Sequence, residues 1–114
     1  MPANEVSSCP RAQAILTGVL IDISGTAERS GFKIPVAITR RVIDELCFNP
    51  NDFSESEQRY VLRKFIAVVR GEGAGKSLNY FTVAECGLKA QFHGDDESKP
   101  AYTIRLESED CYAH

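Results

Sequence analysis

The stretch LNYFTVAECGLKAQFHGDDESKPAYTIRLES, residues 78–108, decides the fold. Its opening segment, LNYFTVAE, is rich in aromatic and β-branched residues, which suit a pleated, half-buried surface. Gly87 marks a turn. LKAQFH then alternates Leu88, Ala90 and Phe92 with Lys89, Gln91 and His93. GDDESKP is a polar connection. AYTIRLES alternates Tyr102, Ile104 and Leu106 with Thr103, Arg105 and Glu107. A period of two predicts strands. One apolar side and one polar side predict an antiparallel meander covered on one face, with Lys89, Gln91, His93, Thr103, Arg105 and Glu107 turned to solvent.

The cover for that apolar face precedes it. In SESEQRYVLRKFIAVVR, residues 54–70, Ser54 and Glu57 have the spacing of a capping box. Glu55 and Glu57 in the first turn and Arg70 in the last suit the helix dipole. Val61, Leu62, Phe65, Ile66, Val68 and Val69 form a broad apolar stripe, leaving Gln58, Arg59, Arg63 and Lys64 outside.

The N-terminal half is less regular. Pro10 suits the start of a short helix that Gly18 ends, over about residues 10–17. GVLIDIS, 18–24, alternates with period two and reads as a strand. GTAERSG is a turn or one helical turn closed by Gly31. Ile34, Val36 and Ile38 alternate around Pro35, as in an edge strand. Thr39 can cap a helix over about 40–47, with Val42, Ile43, Leu46 and Cys47 on one face. The expected architecture is one small α+β domain over residues 10–114, after a loose N-terminus at 1–9. Its antiparallel sheet of three to five strands is packed on one face by two or three helices. The pattern leaves open whether strand 19–24 joins the meander.

Composition narrows the classes. The chain has 114 residues, 43% hydrophobic and 25% charged, with a net charge of −3. That fits one globular domain large enough to bury a core without a metal or disulfide. A salt-driven nucleic-acid binder is usually basic. No apolar run approaches a membrane span, and MPANEVSSCPRAQ has no charged start followed by an apolar core, so a cytoplasmic location is expected. Cys9, Cys47, Cys86 and Cys111 include no C-x-x-C hook, so four free thiols and no zinc are expected.

RGEGAGKS, residues 70–77, invites comparison with a phosphate-binding loop. That motif needs a glycine where Arg70 stands, and it needs a strand before and a helix after. Here a helix enters and a strand leaves, so the glycines read as a flexible connection. His93 and Asp95 could do acid–base work, but no nucleophile stands in an elbow motif beside them. HGDDE lacks calcium-loop spacing. No catalytic residue, cofactor or metal ligand is therefore expected.

Two charged groups remain as candidate partner-binding residues. Asp95, Asp96, Glu97, Glu107 and Glu109 concentrate negative charge on the last hairpin, which can meet a basic partner or keep an edge strand from aggregating. Arg40, Arg41, Arg59, Arg63 and Lys64 could form a basic patch on the helical side, or simply the solvated face of two helices.

One stretch is more distinctive. R-A-Q-A-I at 11–15, G-V-L-I-D-I-S at 18–24, A-x-x-x-G-F-K at 27–33 and P-V-A-I-T at 35–39 resemble a family of small proteins of unknown function from bacteriophages, plasmids and other mobile elements. Those proteins tend to carry a Trp in the helix that follows, and this chain has no Trp. The resemblance implies a provenance in a bacterial host cell rather than an activity. By analogy with other proteins of mobile elements, it suggests a non-enzymatic protein that binds a host protein or complex and blocks a defence system, as anti-CRISPR and anti-restriction proteins do. The alternatives are a nucleic-acid-associated accessory protein and a small-molecule-sequestering protein; under every reading the oligomeric state stays open, a homodimer included.

Overall fold

A computed structural model gives the structure of the protein and describes residues 10–49, 51–71, 77–94 and 99–109. Among the described residues four helices, α1 (Pro10–Leu16), α2 (Ser24–Arg29), α3 (Arg40–Glu45) and α4 (Glu55–Arg70), accompany five strands. The strands are β1 (Leu20–Asp22), β2 (Val36–Thr39), β3 (Leu78–Val83), β4 (Cys86–Gly94) and β5 (Pro100–Leu106). They form one sheet in the order β1-β2-β5-β4-β3. Every neighbouring pair is antiparallel except β2 and β5, which run parallel. The α+β expectation holds. Through β2, the strand at 20–22 does join the C-terminal meander.

Local signals set the helix ends. Ser54 accepts from the Glu57 N–H at 3.2 Å, and Glu57 Oε1 accepts from the Ser54 N–H at 3.0 Å, completing the capping box. Thr39 caps α3 by accepting from Val42 N–H at 3.4 Å. At the end of α2, Gly31 takes φ +105°, the Gly31 N–H donates to Glu28 O and the Phe32 N–H donates to Ala27 O. This paired bond pattern turns the chain sharply and sends Phe32 back over the sheet.

The main core lies between one face of the sheet and α2, α3 and α4. Val36, Ile38, Phe81, Val83, Leu88, Ala90 and Ile104 meet Ala27, Val42, Ile43, Val61, Leu62 and Phe65. Phe65 is the hub of an aromatic cluster. It stacks on Phe32 at 5.2 Å and on Phe81 at 5.6 Å, and Tyr102 meets it edge-on at 4.9 Å.

Three readings from the sequence are corrected. First, β2 is no edge strand: all four of its residues are buried, between β1 and β5, and Pro35 stands just outside. Second, the β3–β4 turn is not at Gly87. Val83 pairs with Cys86, so Ala84 and Glu85 make the connection alone, at φ 50° and 67°. Gly87 lies within β4. Third, the polar side of the meander is not solvated. Lys89, Thr103 and Arg105 are buried, Arg105 to 1% exposure, and Gln91 and His93 are half-buried. Segments distant in sequence lie over this second face: Ala14 of α1 packs on Leu20 and Ala37, Arg11 of α1 reaches Thr103, and Lys89 Nζ meets the Glu109 carbonyl.

The second face is a hydrogen-bonded polar layer. Arg11 of α1 donates to Thr103 Oγ1 at 2.8 Å and to the Tyr102 carbonyl at 3.1 Å. His93 Nε2 lies 2.7 Å from Thr103 Oγ1, and its Nδ1 donates to the Gly94 carbonyl at 2.7 Å. Arg105 Nε donates to Gln91 at 3.2 Å. Buried cations are tolerated only when such partners replace water. Among the described residues no helix is long and apolar enough to cross a membrane.

Candidate functional site

The Gly31 turn and α4 together leave a groove on the helical side. Ser30, Gly31, Phe32, Lys33 and Ile34 form one wall, and Ile66, Val69 and Arg70 of α4 the other, with Tyr102 between them. This hollow holds about 320 Å³. A second, of about 210 Å³, shares Ser30 and Ile66 and adds Arg59 and Arg63. Together they make one open trough along the flank of α4.

Helical spacing explains the alignment. Arg59, Arg63, Ile66 and Arg70 recur at intervals of three and four residues, which places them on one flank of a helix. The same spacing places Val61, Leu62 and Phe65 against the sheet. The lining is therefore amphipathic: Phe32, Ile34, Ile66, Val69 and Tyr102 are apolar, and Lys33, Arg59, Arg63 and Arg70 are cationic.

Among the described residues, Lys33, Arg63 and Arg70 form no ion pair. Arg59 is held by Glu55 at 2.8 Å, and Glu55 also accepts from Arg29 at 2.7 Å. The Arg29 hydrogen bond, aided by the charges of Arg29 and Arg59, holds the Glu55 carboxyl below its ordinary range. Burial pushes the Tyr102 hydroxyl up, so at neutral pH this residue adds no negative charge to the groove. The described lining offers no carboxylate, imidazole or thiol. It can hold an anionic group with an apolar body, with cations on the rim and rings beneath.

The other candidates fall elsewhere. Arg59 and Arg63 line the groove, whereas Arg40, Arg41 and Lys64 are exposed but line neither hollow. Arg40 and Arg41 open α3 beyond the far end of β2, and Arg40 pairs with Asp44 at 3.6 Å. Asp95, Asp96 and Glu97 lie outside the described residues, as do Glu72 to Lys76 of the glycine-rich connection.

Glu107 is exposed and lines a separate hollow of about 380 Å³ with Glu45, Cys86, Gly87, Leu106 and Ser108. There burial, aided by the Glu45 charge, pushes the Cys86 thiol up. Glu109 points inward instead. Its Oε1 accepts from Leu106 N–H and from Thr39 Oγ1, each at 2.8 Å, and its carbonyl accepts from Lys89 Nζ. It ties β5 to β2 and β4.

The sequence did not single out Phe32, Lys33 and Ile34 as site residues: Ile34 read as part of an edge strand, and Phe32 and Lys33 stood just before it with no motif of their own. The available signal was Gly31, which both ends α2 and reverses the chain. Among the described residues no group of three or more His, Cys, Asp or Glu side chains could hold a metal ion. Compared with protein families, curated proteins and solved structures, the chain matches none.

Proposed function

We propose that this chain is a non-enzymatic interaction protein that seats an acidic, partly apolar segment of a host protein in the cationic groove and blocks that protein by occlusion. The observation that carries this reading is the groove lining: three cations without ion pairs among the described residues, above five apolar side chains. Removing such a surface from water is favourable when the occupant supplies both opposite charge and apolar area. The likeness of residues 11–40 to proteins of phages and plasmids supports a host defence complex as the target, in the manner of an anti-CRISPR or anti-restriction protein.

The test is affinity capture from bacterial lysates, with and without CRISPR or restriction systems, comparing the wild type with the Arg63→Glu, Arg70→Glu double variant. Both side chains are exposed, so the variant should fold. The expected result is a stable partner whose recovery falls by about tenfold or more on charge reversal. Equal recovery by the two proteins, or no partner in any host, refutes the reading. Gel shifts with DNA and RNA at low salt address the accessory-protein alternative. Binding that weakens steeply with salt would put nucleic acid in the groove instead.

A further inference from the structure

We propose that two copies of this chain pair through the open edge of β3, joining their sheets into one continuous antiparallel sheet. The two edges of the sheet differ. At one end β1 is only three residues long and carries the exposed Asp22. Shortness and charge are common ways of blunting an edge. At the other end β3 has six residues, LNYFTV, and among the described residues it pairs with β4 alone. It contains no charge, no proline and no glycine.

The register shows which backbone groups face outward. Phe92 N–H donates to Ser77 O at 2.8 Å, so Ser77 and Phe92 are a hydrogen-bonded pair. Such pairs alternate along an antiparallel ladder. Asn79, Phe81 and Val83 therefore bond to β4, while Leu78, Tyr80 and Thr82 turn their N–H and C=O groups away from it. Among the described residues no strand meets that edge. Tyr80 is 55% exposed, the most exposed aromatic side chain among the described residues.

This edge is self-complementary. A two-fold axis through Tyr80 sets Tyr80 opposite Tyr80 of the second copy, and Leu78 opposite Thr82 of the second copy. Each pair can then exchange both of its backbone hydrogen bonds. Tyrosine meets tyrosine, a favourable cross-strand pair, and Leu78 meets Thr82. No like charges oppose each other. Symmetric, isologous contacts of this kind are the commonest way a single chain dimerises. The groove lining includes Tyr102 of β5 and no residue of β3, so a dimer through β3 would leave the lining of both grooves uncovered by the pairing strands. The pairing does not depend on what the groove binds.

The test measures the mass of the full chain in solution, by sedimentation or by light scattering after gel filtration, across about 1–100 µM, a range that spans micromolar affinity. The expected species is twice the 12.6 kDa monomer. Tyr80→Lys places two cations face to face on the axis, and Thr82→Pro removes an outward N–H that the monomer does not use. Each should weaken the dimer by about tenfold or more. Circular dichroism establishes that the variants fold. Should Thr82→Pro unfold, Tyr80→Lys decides, because its site is largely in solvent. A wild type that is monomeric throughout overturns the proposal. So does a folded variant that remains as dimeric as the wild type.

Discussion

The Ala84–Glu85 connection gives a sharp test of the β3–β4 register. Both residues sit at left-handed φ, 50° and 67°, in a two-residue hairpin loop. This backbone suits Asn-Gly, because left-handed geometry costs an ordinary L-residue about 1–2 kcal/mol. Both side chains are exposed, so replacing them sacrifices no core packing. Glycine relieves the steric term at 85 but loses about 0.5–1 kcal/mol in chain entropy. Asparagine at 84 gives partial relief. The Ala84→Asn, Glu85→Gly variant should therefore gain about 1–2 kcal/mol, or about 5–10 °C in melting temperature for a domain of this size. Thermal and urea unfolding followed by circular dichroism would measure it. The companion variant is Gly87→Ala. Gly87 is not at left-handed φ, and the atoms its Cβ would meet belong to the flexible end of Glu107, so it should change stability little. A double variant that melts at or below the wild type, together with a strongly destabilised Gly87→Ala, would refute the argument. It would place the turn at Gly87 and shift the β3 side chains relative to the core.

Two further outcomes concern Asn79 and Cys86. Asn79 is 3% exposed, and among the described residues neither its amide nitrogen nor its amide oxygen has a hydrogen-bond partner. Asn79→Val should raise stability by about 1–3 kcal/mol in urea unfolding, since it removes an unmet desolvation penalty. Cys86 should be alkylated more slowly than the exposed Cys47 by iodoacetamide near neutral pH, because its raised pKa leaves less thiolate. Peptide mapping by mass spectrometry distinguishes the two sites, and the gap should narrow as pH rises.

Much of the fold was legible because it rests on local chemistry. The capping box at Ser54 and Glu57, the stripe on α4 and the alternation of 88–92 and 102–106 each reflect a repeat that matches one element's geometry. The turn at 84–85 was not legible, because Ala and Glu are poor residues for it while Gly87 nearby mimics the usual signal. The groove was half legible. Arg59 and Arg63 stand out as cations on one helix flank, but Lys33 and Phe32 reach them only through a chain reversal and a packed ring.

By itself, then, the sequence determined the elements, the apolar face of each and the helix caps, because these depend on neighbours within about one or two turns of chain. Only the tertiary structure decided that β2 lies inside the sheet, parallel to β5, and that Arg11 of α1 and Glu109 reach the second face. Those are contacts between residues far apart in the chain, such as Arg11 with Thr103 and Thr39 with Glu109. No local pattern encodes them. The alternation of Lys89, Gln91 and His93 looks the same whether water or a helix lies above it. Burial of Lys89 and Arg105 depends on what comes to rest over them, and the hydrogen bonds that make it tolerable exist only once the distant segments have met.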